Sequence, residues 1–299
     1  MNYFTIRDIE NLCNIKAHTL RVWEQRYGIC RAKRRSGNHR IYYNEDLKEL
    51  LRISFLYHNG YKISVLARFS NEEIEKAVQS IRLSECNYQD FVTQLLEACI
   101  DFDQERFDKI VHCLVLRMGI DKCITGVFYP FLERVGMLWL TNHVIPAQEH
   151  FSSNLIQKKI IMALDGLDKV TDRSHNILLF TPCGEYHEIP LLVAQYFFKK
   201  QLLQTTYLGI DSHFSMLEYY CSNRPVSHFY FHVINKSGSD KLTALTDRLC
   251  RQYPDKKIIA AGPAAGCIKL QHPNFTVLRS MEELMRFASS LRTQAFTSA

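Results

Sequence analysis

The sequence predicts a multidomain protein mixing α and α/β architecture. A winged helix-turn-helix is expected over residues 1–75, a connector and four-helix bundle over 76–170, and a doubly wound five-stranded parallel sheet over 171–299. Three observations predict it. Positive charge is concentrated at the start, apolar residues recur at helical spacing through the middle, and short β-rich runs alternate with helical ones at the end. With 299 residues, 46% hydrophobic and 23% charged, the chain has a globular composition and enough length for domains that fold without staples.

Composition removes some function classes. No run approaches the about 18 consecutive apolar residues of a membrane span. The start, Met1 to Asp8, lacks a basic region followed by an apolar core, so a cytoplasmic location is expected. The ten cysteines (13, 30, 86, 99, 113, 123, 183, 221, 250 and 267) include no Cys-x-x-Cys pair, which argues against a zinc knuckle or a redox dithiol. They read as small reduced core residues.

The elements follow in order. Thr5-Ile6-Arg7-Asp8 has the capping-box spacing that opens a helix, with Ile9 and Leu12 facing inward. A break at Cys13-Asn14-Ile15 leads to a second helix in which Leu20 and Trp23 share one face while Thr19, Arg21 and Arg26 point elsewhere. Arg31 to Tyr43, with Ser36-Gly37-Asn38 as a turn, reads as a basic two-stranded wing. Residues 1–43 hold nine Lys or Arg against three acids, a net of +6, equal to the formal charge of the whole chain. A concentrated field of this sign suits a polyanion.

Thr19-Leu20-Arg21-Val22-Trp23-Glu24 followed by Gly37-Asn38-His39-Arg40-Ile41-Tyr42 resembles the MerR family of transcription regulators over about residues 3–70. The resemblance implies double-stranded operator DNA as partner. It assigns DNA contacts to Thr19, Arg21, Trp23, Arg26, Tyr27, Arg34, Arg35, His39, Arg40 and Tyr42.

Leu47, Leu50, Leu51, Ile53 and Leu56, then Ile63 and Leu66, close the winged-helix core, and Ser70 caps a connector helix. Phe107, Ile110, Val111 and Leu114, and then Ile124, Val127, Phe128, Phe131 and Val135, carry the helical period through 88–166. From Asn176, strands at 177–180, 205–208, 229–234, 258–260 and 275–278 alternate with helices at 191–200, 216–221, 242–251 and 281–291. Such sheets bind ligands at the carboxyl ends of their strands, where the first loop, Thr181 to His187, falls.

A bundle followed by a sheet whose first loop offers Glu185-Tyr186-His187 resembles the cobalamin-binding module. That resemblance makes His187 the cobalt ligand and Glu185 its partner. Trp139, followed after nine residues by Glu149-His150, resembles the CarH-type light-dependent MerR repressors, in which these side chains pack on the adenosyl group of adenosylcobalamin. Gly262 stands in the place of the module's later glycine pair. The chain departs from the pattern at Pro190 after the axial histidine, at the bulky Phe229-Tyr230-Phe231-His232 where a small strand end admits the nucleotide tail, at Ala261, and at Leu140 after the tryptophan.

The implied function is a non-enzymatic regulator whose cobalamin-binding-like half controls self-association, as dimer or tetramer, and operator binding, with light as the signal through adenosylcobalamin. A second reading keeps the fold without cobalamin, acting constitutively or with another ligand. A corrinoid-carrying enzyme subunit is the distant rival, and it has no use for a basic wing.

Overall fold

The computed structural model describes residues 3–35, 39–81, 87–140, 146–167, 172–235 and 239–297. The side chains of 35, 137–140, 172–174, 239 and 294–297 lie outside that description, as does the turn expected at 36–38. The chain forms two compact units, Met1–Ile156 and Gln157–Ala299.

In the first unit, β1 (Phe4–Thr5) precedes α1 (Ile6–Cys13), α2 (Ala17–Tyr27), β2 (Lys33–Arg35), β3 (His39–Tyr42) and α3 (Asn44–His58). The capping box forms as its spacing requires: the Asp8 amide donates to the Thr5 hydroxyl and the Thr5 amide to the Asp8 carboxylate. Asn14 ends α1 in the left-handed region at φ 54°, and Gly28 ends α2 at φ 71°. The wing is three-stranded, ordered β1-β3-β2 and antiparallel, with Phe4 opposite Tyr42. β1 has only two residues, too short to show an alternating pattern, which is why the sequence predicts two strands.

Next come α4 (Ile63–Leu66) and α5 (Asn71–Ser80), the latter with a second capping box, Ser70 and Glu73. The bundle consists of α6 (Tyr88–Ile100), α7 (Gln104–Met118), a composite helix and α10 (Pro146–Asp165). The composite runs from α8 (Ile120–Cys123) through a π-helical turn (Ile124–Phe128) into α9 (Tyr129–Leu140). Phe107 sits edge-on to Phe131 and Phe151 in the bundle core.

Polar ties join helix-turn-helix to bundle within this unit. Arg134 of α9 donates to the Leu12 carbonyl of α1 at 3.2 Å and to Gln89 at 2.6 Å. Arg52 of α3 pairs with Glu75 of α5 and Glu97 of α6, both at 2.6 Å, and Arg106 of α7 reaches the other Glu97 oxygen at 2.9 Å. The network borders a cavity of about 360 Å³ lined also by Val78, Gln94, Lys109 and Ile110. Burial alone would raise the Glu97 carboxyl, but Arg106 and Arg52 hold it below the ordinary range.

The second unit is a five-stranded parallel sheet ordered β5-β4-β6-β7-β8, from β4 (Asp172–Pro182), β5 (Leu203–Ser212), β6 (His228–His232), β7 (Lys257–Ala261) and β8 (Phe275–Leu278). The helices are α11 (Ile189–Lys200), α12 (Phe214–Asn223), α13 (Ser239–Gln252) and α14 (Met281–Thr297). Leu178, Phe180, Phe229, Phe231 and Val233 join Leu217 of α12 and Leu249 of α13 in one apolar cluster. The cysteine expectation holds in part: Cys13, Cys30, Cys99, Cys123 and Cys250 are buried, whereas Cys183, in the turn after β4, and Cys267, at the end of a 3-10 turn, are exposed. Cys86 lies outside the described residues. Among the described residues, no helix is long and apolar enough to cross a membrane.

Candidate functional site

Two surfaces concentrate the residues singled out in the sequence. On α2, Arg21 and Arg26 are exposed and Thr19 and Tyr27 half-buried, with the Arg26 guanidinium 5.9 Å from the Tyr27 ring centroid. On the wing, Arg34 and His39 are exposed, and the Lys33 ammonium lies 4.6 Å over the Tyr43 ring. Arg35 is on β2, its side chain outside the described set.

Two of the expected DNA contacts are core residues instead. Trp23 is 4% exposed and meets Tyr57 edge-on at 5.0 Å, and Tyr42 is 2% exposed, its hydroxyl pushed up to about 12 by burial. Helical period had already put Trp23 on the face of Leu20, so the buried assignment was readable in the sequence. Arg40 is half-buried and pairs with Glu24 at 2.7 Å, bracing the wing against α2.

The second surface lies at the carboxyl end of the parallel sheet, where strand order reverses between β4 and β6. Past Pro182 the chain turns through Gly184 at φ 85°, whose amide donates to Asp211 at 2.8 Å, and the Thr181 hydroxyl donates to the Glu185 carbonyl at 2.6 Å. This turn sends the Glu185 side chain inward. One carboxylate oxygen accepts from the amides of Ile234 and Asn235 after β6, at 2.8 and 2.9 Å. The other accepts from the His187 amide at 3.1 Å and holds His187 Nδ1. Although burial opposes ionisation, the His187 ring and these amides hold the Glu185 carboxyl at about 2. Glu185 thus clamps the two strand ends together and orients a half-exposed imidazole. The Ile234 and Asn235 amides come from a loop 49 and 50 residues away in sequence, and no spacing rule reveals them.

Pro190 lies in the first turn of α11, where its fixed φ suits the helix. Gly262 does not leave room for a ligand. At φ 99°, a Cβ there would lie 2.3 Å from the Val233 carbonyl oxygen and 2.7 Å from His232 Nε2, so the chain itself fills the space. Burial pushes the His232 imidazole down to about 4, leaving it neutral near pH 7. In the first unit, Glu149 accepts from Ser153 at 2.8 Å and lies 3.4 Å from the largely exposed His150 ring, near the start of α10. Trp139 is on α9, with its side chain and that of Leu140 outside the described set.

Comparison with known proteins gives this geometry a context. The family model described as MerR HTH family regulatory protein matches residues 4–73, and that described as B12 binding domain matches residues 92–163. The HTH-type transcriptional repressor CarA of Myxococcus xanthus is 26% identical over 255 residues, 83% of this chain and 84% of that protein. The repressor CarH of the same organism is 25% identical over 212 residues, 69% of this chain and 70% of that protein. In fold, the monomethylamine corrinoid protein of Methanosarcina barkeri superposes with a TM-score of 0.56 at 14% identity, over 69% of this chain and 100% of that one. The chain thus carries a MerR-type helix-turn-helix region and a B12-binding-domain region in that order, and it is similar over most of its length to the transcriptional repressors CarA and CarH.

Proposed function

We propose that the chain reads duplex operator DNA with α2 and the wing, and that a corrinoid held at His187 governs that binding. The observation that carries the DNA half is the exposure of Arg21 and Arg26 on α2, beside a wing bearing Lys33 and Arg34, in the segment that holds the chain's full charge excess. Guanidinium groups so placed meet phosphate oxygens and guanine edges, while Thr19, Tyr27 and His39 extend the same surface. Arg40 acts through Glu24, as a positioning residue. Full-length protein is expected to lose affinity steeply with salt, and Arg21→Ala to lower the salt slope by about one. Arg40→Ala should weaken binding with a smaller change of slope. Equal slopes for wild type and Arg21→Ala would remove α2 from the interface.

At the sheet end, Glu185 and His187 supply the donor pair that a corrinoid's cobalt would take. Glu185 would hold one nitrogen of His187 and present the other to cobalt, fixing the ring's tautomer and orientation and raising its strength as a donor. In its adenosyl form the group supplies a light-labile cobalt–carbon bond. On the bundle, Trp139, Glu149 and His150 are assigned to the adenosyl side by the Trp-x9-Glu-His spacing. The chain is then a cytoplasmic regulator, not an enzyme, whose association into dimers or tetramers changes with ligand and light. His187→Ala is expected to abolish corrinoid uptake or leave a water-ligated spectrum; an unchanged spectrum removes His187 as the ligand. A second reading, self-association without cobalamin, is favoured by the filled space at Gly262. Absorbance of the purified protein after incubation with corrinoids, both with and without the lower nucleotide, separates the two.

A further inference from the structure

The sheet beneath His187 is closed by its own side chains. Along β6 and the residue after it, Phe229, Phe231 and Val233 belong to the apolar cluster shared with α12 and α13. Alternation therefore sends His228, Tyr230 and His232 to the opposite face, toward α11 and α14. There His228 meets Phe287 of α14 at 6.1 Å, and the fully buried Tyr230 meets Phe198 of α11 edge-on at 5.4 Å. The Tyr230 hydroxyl lies 3.5 Å from His232 Nδ1, and His232 occupies the space that Gly262 leaves for want of a Cβ. Glu185 holds the His187 ring at the end of β4, and His232 and Tyr230 line the α11 and α14 side of the neighbouring β6.

We infer that this site takes a corrinoid by its ring alone and discriminates against the lower nucleotide, so that tailless corrinoids of the cobinamide class are its preferred ligands. The inference rests on the reading of His187 as a cobalt ligand. When a protein imidazole takes the lower position on cobalt, the nucleotide remains tethered to the ring on that same side and must be housed there. Housing it inside this sheet means displacing Tyr230 and His232 from a packed layer whose aromatic neighbours leave no slack. A corrinoid that ends before the nucleotide meets no such obstacle. The discrimination is steric and arises from this chain's own aromatic residues at the end of β6.

The test titrates full-length protein with cobinamide and with p-cresolylcobamide, a corrinoid that carries a complete tail whose phenolic ring cannot coordinate cobalt. The second probe removes competition between the tail's base and His187, so that only tail bulk differs. Absorption changes on replacement of cobalt-bound water by imidazole, with equilibrium dialysis alongside, report binding. Cobinamide is expected to bind at least about tenfold more tightly. In His232→Ser, the gap between the two probes should narrow. Should that variant fail to fold, the wild-type comparison alone decides. Binding of p-cresolylcobamide as tight as cobinamide overturns the inference and leaves His187 as ligand. Binding of neither probe overturns both.

Discussion

Glu97→Ala is expected to destabilise residues 1–156 by about 3 kcal/mol, because it removes the buried carboxylate that Arg106 and Arg52 share and leaves Arg52 with Glu75 alone. The Glu97 side chain is 5% exposed, against 23% for Arg52 and 31% for Arg106, so the carboxylate is the hub and the arginines reach it from nearer the surface. Arg52→Ala should cost less, since Arg106 still neutralises Glu97. The sign of the pH effect follows from the depressed Glu97 carboxyl. Its stabilisation is complete above the ordinary glutamate range and is lost as pH falls through the lower folded-state value. The Ala variant should therefore lose less stability on acidification than the wild type does. Guanidinium unfolding followed by the fluorescence of Trp23, which lies in this unit's core, measures both effects. A change below about 1 kcal/mol would class the network with solvated surface pairs.

Gly262→Ala is expected to cost about 3 kcal/mol in the second unit with no ligand present. Two terms combine: overpacking of about 1–3 kcal/mol and a left-handed backbone of about 1–2 kcal/mol for a residue with Cβ. The contact at 2.3 Å is with a backbone carbonyl, and Val233 is tied by its own amide to Ala261, so neither partner yields cheaply. A glycine kept only to clear space for a cofactor would behave differently, with unfolding unaffected and ligand affinity lost. Thermal unfolding of the ligand-free variant separates these outcomes.

The carboxylates that matter most here were visible in the sequence to different degrees. Glu185 stands two residues before His187 and could be picked out from that spacing; that it clamps β4 to β6 through Ile234 and Asn235 could not. Glu97 gives no sequence signal at all. It lies in an apolar helix, and its partners come from α3 and α7, 45 residues before and 9 after it.

By itself, the sequence determined what local rules can reach: the capping box at Thr5, the helix cap at Ser70, the break after α1 at Cys13-Asn14-Ile15, the helical and strand periods, and hence the order of wing, bundle and parallel sheet. Those features depend on residues within a few positions of one another. The tertiary structure decided which side chains are available to a partner. Trp23 and Tyr42 match a DNA-binding signature yet are buried, Arg40 is engaged by Glu24, and the opening expected at Gly262 is filled by His232 and the Val233 carbonyl. Availability depends on what distant segments bring into contact, and two chains with the same motif can pack those segments differently.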